Sequence, residues 1–111
     1  MKVYESLIQS AKRWPNKAAI IDQEGELSFE DLLTKVELLK NELISRGYGS
    51  GHGLAICTNN DRQFLIALYA ALGTGAIVMP ISIQQKESEI KTALKDAKLH
   101  AILTTSKIVS K

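Results

Sequence analysis

Few side chains in this sequence have the type and spacing to do chemistry, and each has to be tested against a structural explanation. Gly47-Tyr48-Gly49-Ser50-Gly51-His52-Gly53 has the glycine density of a phosphate-cradling loop. Such a loop follows a strand and opens a helix whose amino terminus faces the phosphate, whereas these glycines follow a helical pattern and precede a strand. A dinucleotide fingerprint begun at Gly47 and Gly49 would also need glycine where His52 stands. The run therefore reads as a helix-to-strand connection. His52 and His100 are the two histidines, neither with a second ligand at metal-binding spacing, so each is expected at a loop or strand edge. The single Cys57 excludes an internal disulfide. In Leu54-Ala55-Ile56-Cys57 it reads as a buried strand thiol with no activating partner nearby in sequence.

The elements that must position these residues follow from periodicity. Tyr4, Leu7, Ile8 and Ala11 recur at helical spacing and predict a short amphipathic helix that ends before Pro15, with Trp14 packed on it. Ala18 to Ile21 and Glu26 to Ser28 flank the polar turn Asp22-Gln23-Glu24-Gly25, a hairpin pattern. Ser28 is placed to cap a helix at Asp31, with Asp31 reaching back, and Phe29, Leu32, Leu33, Val36, Leu39 and Leu43 form its apolar stripe until Gly47 stops it. Leu54 to Cys57 predicts a strand, Asn60 a helix cap, Phe64 to Leu72 a helix apolar on every side, and Ile77 to Met79 a strand closed by Pro80. Glu89 to Ala97 predicts a further helix and Ala101 to Thr104 a last strand. Strand, helix, strand, helix, strand is the order of an α/β chain with a parallel sheet, here preceded by a helix, a small hairpin and an amphipathic helix.

Phe64 to Ile83 carries no charge over twenty residues, which is the length of a membrane span. Gly73, Thr74 and Gly75 interrupt it where a soluble chain ends a helix, and Gly75 is expected to take the left-handed conformation that does so. The reading preferred is a buried helix feeding a buried strand. A helix lacking a polar face has to be covered all round, and a chain of 111 residues has few elements to cover it. Composition fits one globular domain over residues 1–111: 45% hydrophobic, 23% charged, net charge +2 from 14 basic and 12 acidic residues spread along the chain. That distribution argues against nucleic-acid binding. The polar start of the chain, with Glu5 inside it, lacks the core of a secretory signal and predicts a cytoplasmic protein with no transmembrane segment.

Asn59-Asn60, then Phe64, Ala67, Leu68, Ala70 and Leu72, then Gly75 to Ile81 resemble the amino-terminal region of adenylate-forming enzymes, the AMP-dependent synthetase and acyl-CoA synthetase superfamily. Trp14-Pro15-Asn16-Lys17-Ala18-Ala19-Ile20 and Leu27-Ser28-Phe29-Glu30-Asp31-Leu32 are similar to two earlier segments of that family, and Glu89-Ile90, Leu94 to Ala97 and Ala101 to Leu103 continue the register. The resemblance covers roughly Tyr4 to Thr105. Gly51-His52-Gly53-Leu54 and Thr58-Asn59-Asn60 depart from the family pattern without touching a catalytic group. The family's phosphate loop ending in lysine, its aromatic-x-x-Thr-Glu motif, its hinge and its carboxy-terminal lysine are not in these residues.

The resemblance implies an amino-terminal portion of the AMP-binding large domain of an ATP-dependent carboxylate ligase, with ATP, Mg²⁺ and CoA as the parent's cofactors and no catalytic residue in this segment. Alone, the segment is expected to bind none of them, to be inactive and to self-associate around Phe64 to Leu72. Residues after the three predicted parallel strands, Asn59-Asn60, Ser82-Ile83-Gln84 and Thr104-Thr105, are the positional candidates for ligand contact. The resemblance makes Ser82, Ile83 and Gln84 a candidate CoA-edge loop. The alternative reading is a free-standing, non-catalytic α/β module that binds a ligand or partner.

Overall fold

The computed structural model describes residues 2–58, 61–81, 95, 99–104 and 108–110. Helix α1 (Lys2–Arg13) buries Tyr4, Leu7 and Ala11, the residues its spacing predicts. Strands β1 (Ala18–Asp22) and β2 (Gly25–Ser28) form the expected antiparallel hairpin. Helix α2 (Phe29–Ser45) starts where Ser28 Oγ accepts the Asp31 amide at 3.1 Å. The return bond expected of Asp31 does not accompany it. Trp14 also departs from expectation: it is 47% exposed, its ring flanked by the Arg13 guanidinium at 5.8 Å and Lys17 Nζ at 5.5 Å.

The larger sheet contains β3 (Gly53–Ile56), β4 (Ile77–Pro80), β5 (Ala101–Leu103) and β6 (Ile108–Ser110) in the order β4-β3-β5-β6. Both neighbours of β3 run parallel to it, and β6 runs antiparallel to β5. The chain is therefore α/β with three parallel strands, as its element order predicts. β6 was not foreseen, since its three residues sit between lysines at positions 107 and 111 without an alternating pattern. The predicted helix Glu89–Ala97 lies outside the described residues.

The strands alternate between two apolar clusters, as a pleated strand with period two must. Leu54, Ile56, Ala101 and Leu103 join the core shared with the helices. Ala55, Cys57 and Ile102 point the other way, with Leu99, Met79 and Ile81. Burial on both faces is why Leu54-Ala55-Ile56-Cys57 reads as a continuous apolar run rather than an alternating one.

Helix α3 (Asp61–Gly73) joins β3 to β4. It packs through Ile66, Ala67, Ala70 and Ala71, all buried, while Phe64, Leu65, Leu68, Tyr69 and Leu72 stay partly exposed. At its end the backbone comes so close to Tyr4 that a Cβ on Gly73 would lie 2.9 Å from that ring. Two residues on, Gly75 takes φ +87°, the expected left-handed turn into β4. The charge-free run is thus folded back on itself, and no helix among the described residues is long and apolar enough to cross a membrane.

Candidate functional site

The parallel strands have two ends with different chemistry. At the amino end stand both histidines, His52 just before β3 and His100 just before β5. Their rings meet edge to face with centroids 4.7 Å apart, a proximity that sequence spacing did not reveal. The Gly53 amide donates to His100 Nδ1 at 3.0 Å, and the His100 amide donates to the Gly53 carbonyl at 2.8 Å. His100 thus satisfies both backbone groups of the first residue of β3. Its Nδ1 lone pair is occupied by that amide and is not available to a metal. His52 Nδ1 likewise accepts the Gly49 amide at 3.0 Å. The pair clasps strand ends together, in keeping with the strand-edge role expected for each. Gly47 to Gly53 connects α2 to β3, as its polarity predicts.

At the carboxyl end, where open α/β sheets bind ligands, the described residues are Thr58 after β3, Ile81 after β4 and Thr104 after β5. The Cys57 amide donates to the Leu103 carbonyl at 2.9 Å and the Ile81 amide to the Ile56 carbonyl at 2.9 Å, which hold these positions side by side. Asn59, Asn60, Ser82, Ile83, Gln84 and Thr105 lie outside the described residues. Cys57 is 5% exposed, the buried thiol expected.

Sequence reading missed a cleft of about 560 Å³ between α2, α3 and β6, which reaches this carboxyl end at Leu103 and Thr104. Its floor is apolar, from Leu39, Ile66, Ala67 and Ile108, and its rim carries Lys35, Glu42 and Arg46. Arg46 Nε donates to Glu42 Oε1 at 2.9 Å across one helical turn, an exposed pair that contributes little. Leu38, 68% exposed at the mouth, was the available signal, because with Ile44 it interrupts the polar face of an amphipathic α2.

Two polar clusters fix the elements around the cleft. Tyr4 Oη donates to Glu37 Oε1 and accepts from Lys40 Nζ at 2.9 Å, while Lys40 pairs with Glu37 at 3.0 Å. Burial, then the Glu37 contact, raises the Tyr4 pKa; the Tyr4 hydrogen bond lowers that of Glu37 and raises that of Lys40. Across the molecule Arg62 grips the hairpin turn through Asp22 Oδ1 and Oδ2 at 2.8 and 3.0 Å and through the Gly25 carbonyl at 3.0 Å. The guanidinium holds Asp22 below the usual carboxylate range. Both clusters lock helices to their neighbours. Among the described residues no three His, Cys, Asp or Glu side chains come together as a metal ligand set.

The family model of AMP-binding enzymes matches residues 7–111. The chain belongs to the AMP-binding enzyme family. It is 34% identical over 98 residues to a long-chain-fatty-acid–CoA ligase of Bacillus subtilis, covering 88% of this chain and 18% of that protein. It is 29% identical over 104 residues to tyrocidine synthase 3 of Brevibacillus parabrevis, covering 94% of this chain and 2% of the synthase. The fold recurs in the N-terminal subdomain of Klebsiella oxytoca NpsA, solved with 3-hydroxyanthranilyl-AMSN: TM-score 0.81 at 20% identity, over 92% of this chain and 26% of that one. The chain therefore spans a small part of the length of the curated relatives it matches.

Proposed function

We propose that residues 1–111 form the amino-terminal part of the AMP-binding large domain of an ATP-dependent carboxylate ligase, and that their role in it is architectural. The observation that carries this is the family match over 7–111, joined to a fold whose central helix keeps large apolar side chains partly exposed. In the parent reaction a substrate carboxylate oxygen bonds to the α-phosphorus of ATP and the bond to pyrophosphate breaks. A thiol then attacks the acyl carbon and AMP leaves with the bonding electron pair. Such activation is needed because a carboxylate delocalises its charge and its oxygen is a poor leaving group. Mg²⁺ would neutralise the departing pyrophosphate, held by residues other than those described here. The contribution of this segment is a buried sheet, clasped at its amino end by His52 and His100, on which a ligand-binding edge is assembled.

CoA is the acceptor we favour over the phosphopantetheine of a carrier protein, on the 34% identity to the Bacillus subtilis ligase. The test is carboxylate-dependent exchange of labelled pyrophosphate into ATP by the product of the complete reading frame, followed by thioester formation with CoA or with a loaded carrier protein. Exchange by the complete product and none by residues 1–111 is expected. A complete product without exchange for any of a panel of fatty, aromatic and amino acids overturns the reading, and thioester on the carrier alone overturns the acceptor.

A further inference from the structure

The amino end of the sheet carries two titratable rings that the proposed function does not use. All three parallel strands meet at them: the Gly53 amide donates to His100 Nδ1, the His100 amide to the Gly53 carbonyl, and the Ile77 amide that opens β4 to the His52 carbonyl at 2.8 Å. Gly53 is buried and both histidines are partly exposed, so the acceptor of a buried amide sits on a ring that solvent protons can reach. A neutral imidazole offers one nitrogen lone pair to a donor, and an imidazolium offers none. A proton gained by His100 therefore sets a hydrogen on Nδ1 against the Gly53 amide hydrogen, and that amide loses its acceptor. His52 differs, because its Nδ1 also lies 3.3 Å from the Gly49 carbonyl, to which a protonated ring can donate. Its charge then stands beside His100, with ring centroids 4.7 Å apart.

Among the described residues neither ring pairs with a carboxylate. Segments 47–57, 73–81 and 99–104, which form this end of the sheet, contain no Asp, Glu, Lys or Arg. The other titratable group facing the pair among them is the Tyr48 phenol, its ring centroid 6.0 Å from that of His52. Arg46, at the end of α2, is taken up by Glu42, and Lys95, ahead of β5, is exposed. We infer that His52 and His100 form an acid-sensitive latch: neutral rings hold β3, β4 and β5 in register, and protonation in the imidazole range, about pH 7 to 5, frees the amino end of β3 from β5. The opened chain takes up protons that the latched rings do not accept. The stability of this junction is therefore complete above that range and falls as pH falls through it. β5 has three residues, so its first rung is a large share of its ladder with β3.

The experiment is hydrogen exchange read by mass spectrometry on the complete reading-frame product at about pH 7.5 and about pH 5.5, both above the range of ordinary carboxylates, with intrinsic exchange rates allowed for. Peptides covering Gly53–Ile56 and Ala101–Leu103 should open roughly tenfold more readily at the lower pH, and the β1–β2 hairpin should not change. His100→Asn keeps an acceptor, its side-chain oxygen, on a group that takes no proton, and should remove the pH dependence. His100→Phe should expose both peptides equally at the two pH values. His52→Asn should reduce the acid effect and leave part of it, and an undiminished effect there overturns the part assigned to His52. Equal protection of the unsubstituted strands at the two pH values overturns the inference whatever the variants do, as does a full acid effect in His100→Asn.

Discussion

Helices α2 and α3 pack against each other but bury their faces by opposite arrangements. α2 is amphipathic in the ordinary sense: Leu32, Val36 and Leu43 are buried, and polar and charged residues fill most of its outer face. α3 buries mostly small residues, Ala67, Ala70 and Ala71 beside the larger Ile66, and leaves Phe64, Leu65, Leu68 and Leu72 partly exposed. Alanines on the inner side allow the α3 backbone to approach the sheet and α1 closely, down to the contact between Gly73 and Tyr4. The difference teaches that burial of backbone and burial of hydrophobic mass are separate matters. α2 stabilises this chain through its side chains, whereas α3 is held close and keeps apolar surface in reserve.

The sharpest test of that contrast is a pair of equal truncations. Leu43→Ala removes a fully buried side chain and should cost about 2–5 kcal/mol in urea unfolding. Leu68→Ala should cost less than half as much, and equal losses would break the comparison. Gly73→Ala comes next. An alanine for glycine in a helix usually stabilises by roughly 0.5–1 kcal/mol, but the new methyl would meet the Tyr4 ring, so a net loss of about 1–3 kcal/mol is expected. A stabilised variant would show that the close approach is soft. Gly75→Val forces a branched side chain into φ +87° and should lower stability by about 1–2 kcal/mol, read as a lower melting temperature.

The remaining apolar surface should make residues 1–111 self-associate, with Leu68→Lys weakening association by roughly tenfold in sedimentation equilibrium. A monomer at high concentration would refute this. The smallest effect concerns Asp22. Arg62 lowers its pKa in the fold, so folding favours the charged carboxylate. That contribution is complete above the carboxylate's unfolded pKa and is lost as pH falls through the folded value. Arg62→Ala should therefore flatten the acid limb of the stability profile, and an unchanged limb would show the pair to be inert.

Much of this arrangement could be read from residue order. The stripe from Phe29 to Leu43, the Ser28 cap and the turn at Gly75 are local, and local physics governs them. The run Leu54 to Cys57 also announced burial on both faces. What sequence could not supply was anything that depends on distant residues meeting. His52 and His100 are separated by most of the sheet-forming region and become neighbours only because β3 pairs with β5. The cleft is likewise a product of α2, α3 and β6 being brought together, and β6 itself is stabilised by pairing with β5 rather than by its own three residues. Trp14 failed for another reason: an aromatic ring near a helix end can lie on the helix or between two cations, and periodicity does not distinguish them.

That last feature bears on how unfolding of this protein is to be followed. The chain has one tryptophan, and nearly half of it already meets water in the native state. Its emission should therefore start red and move little as the protein denatures, so an almost flat fluorescence trace would coexist with a cooperative loss of helical ellipticity.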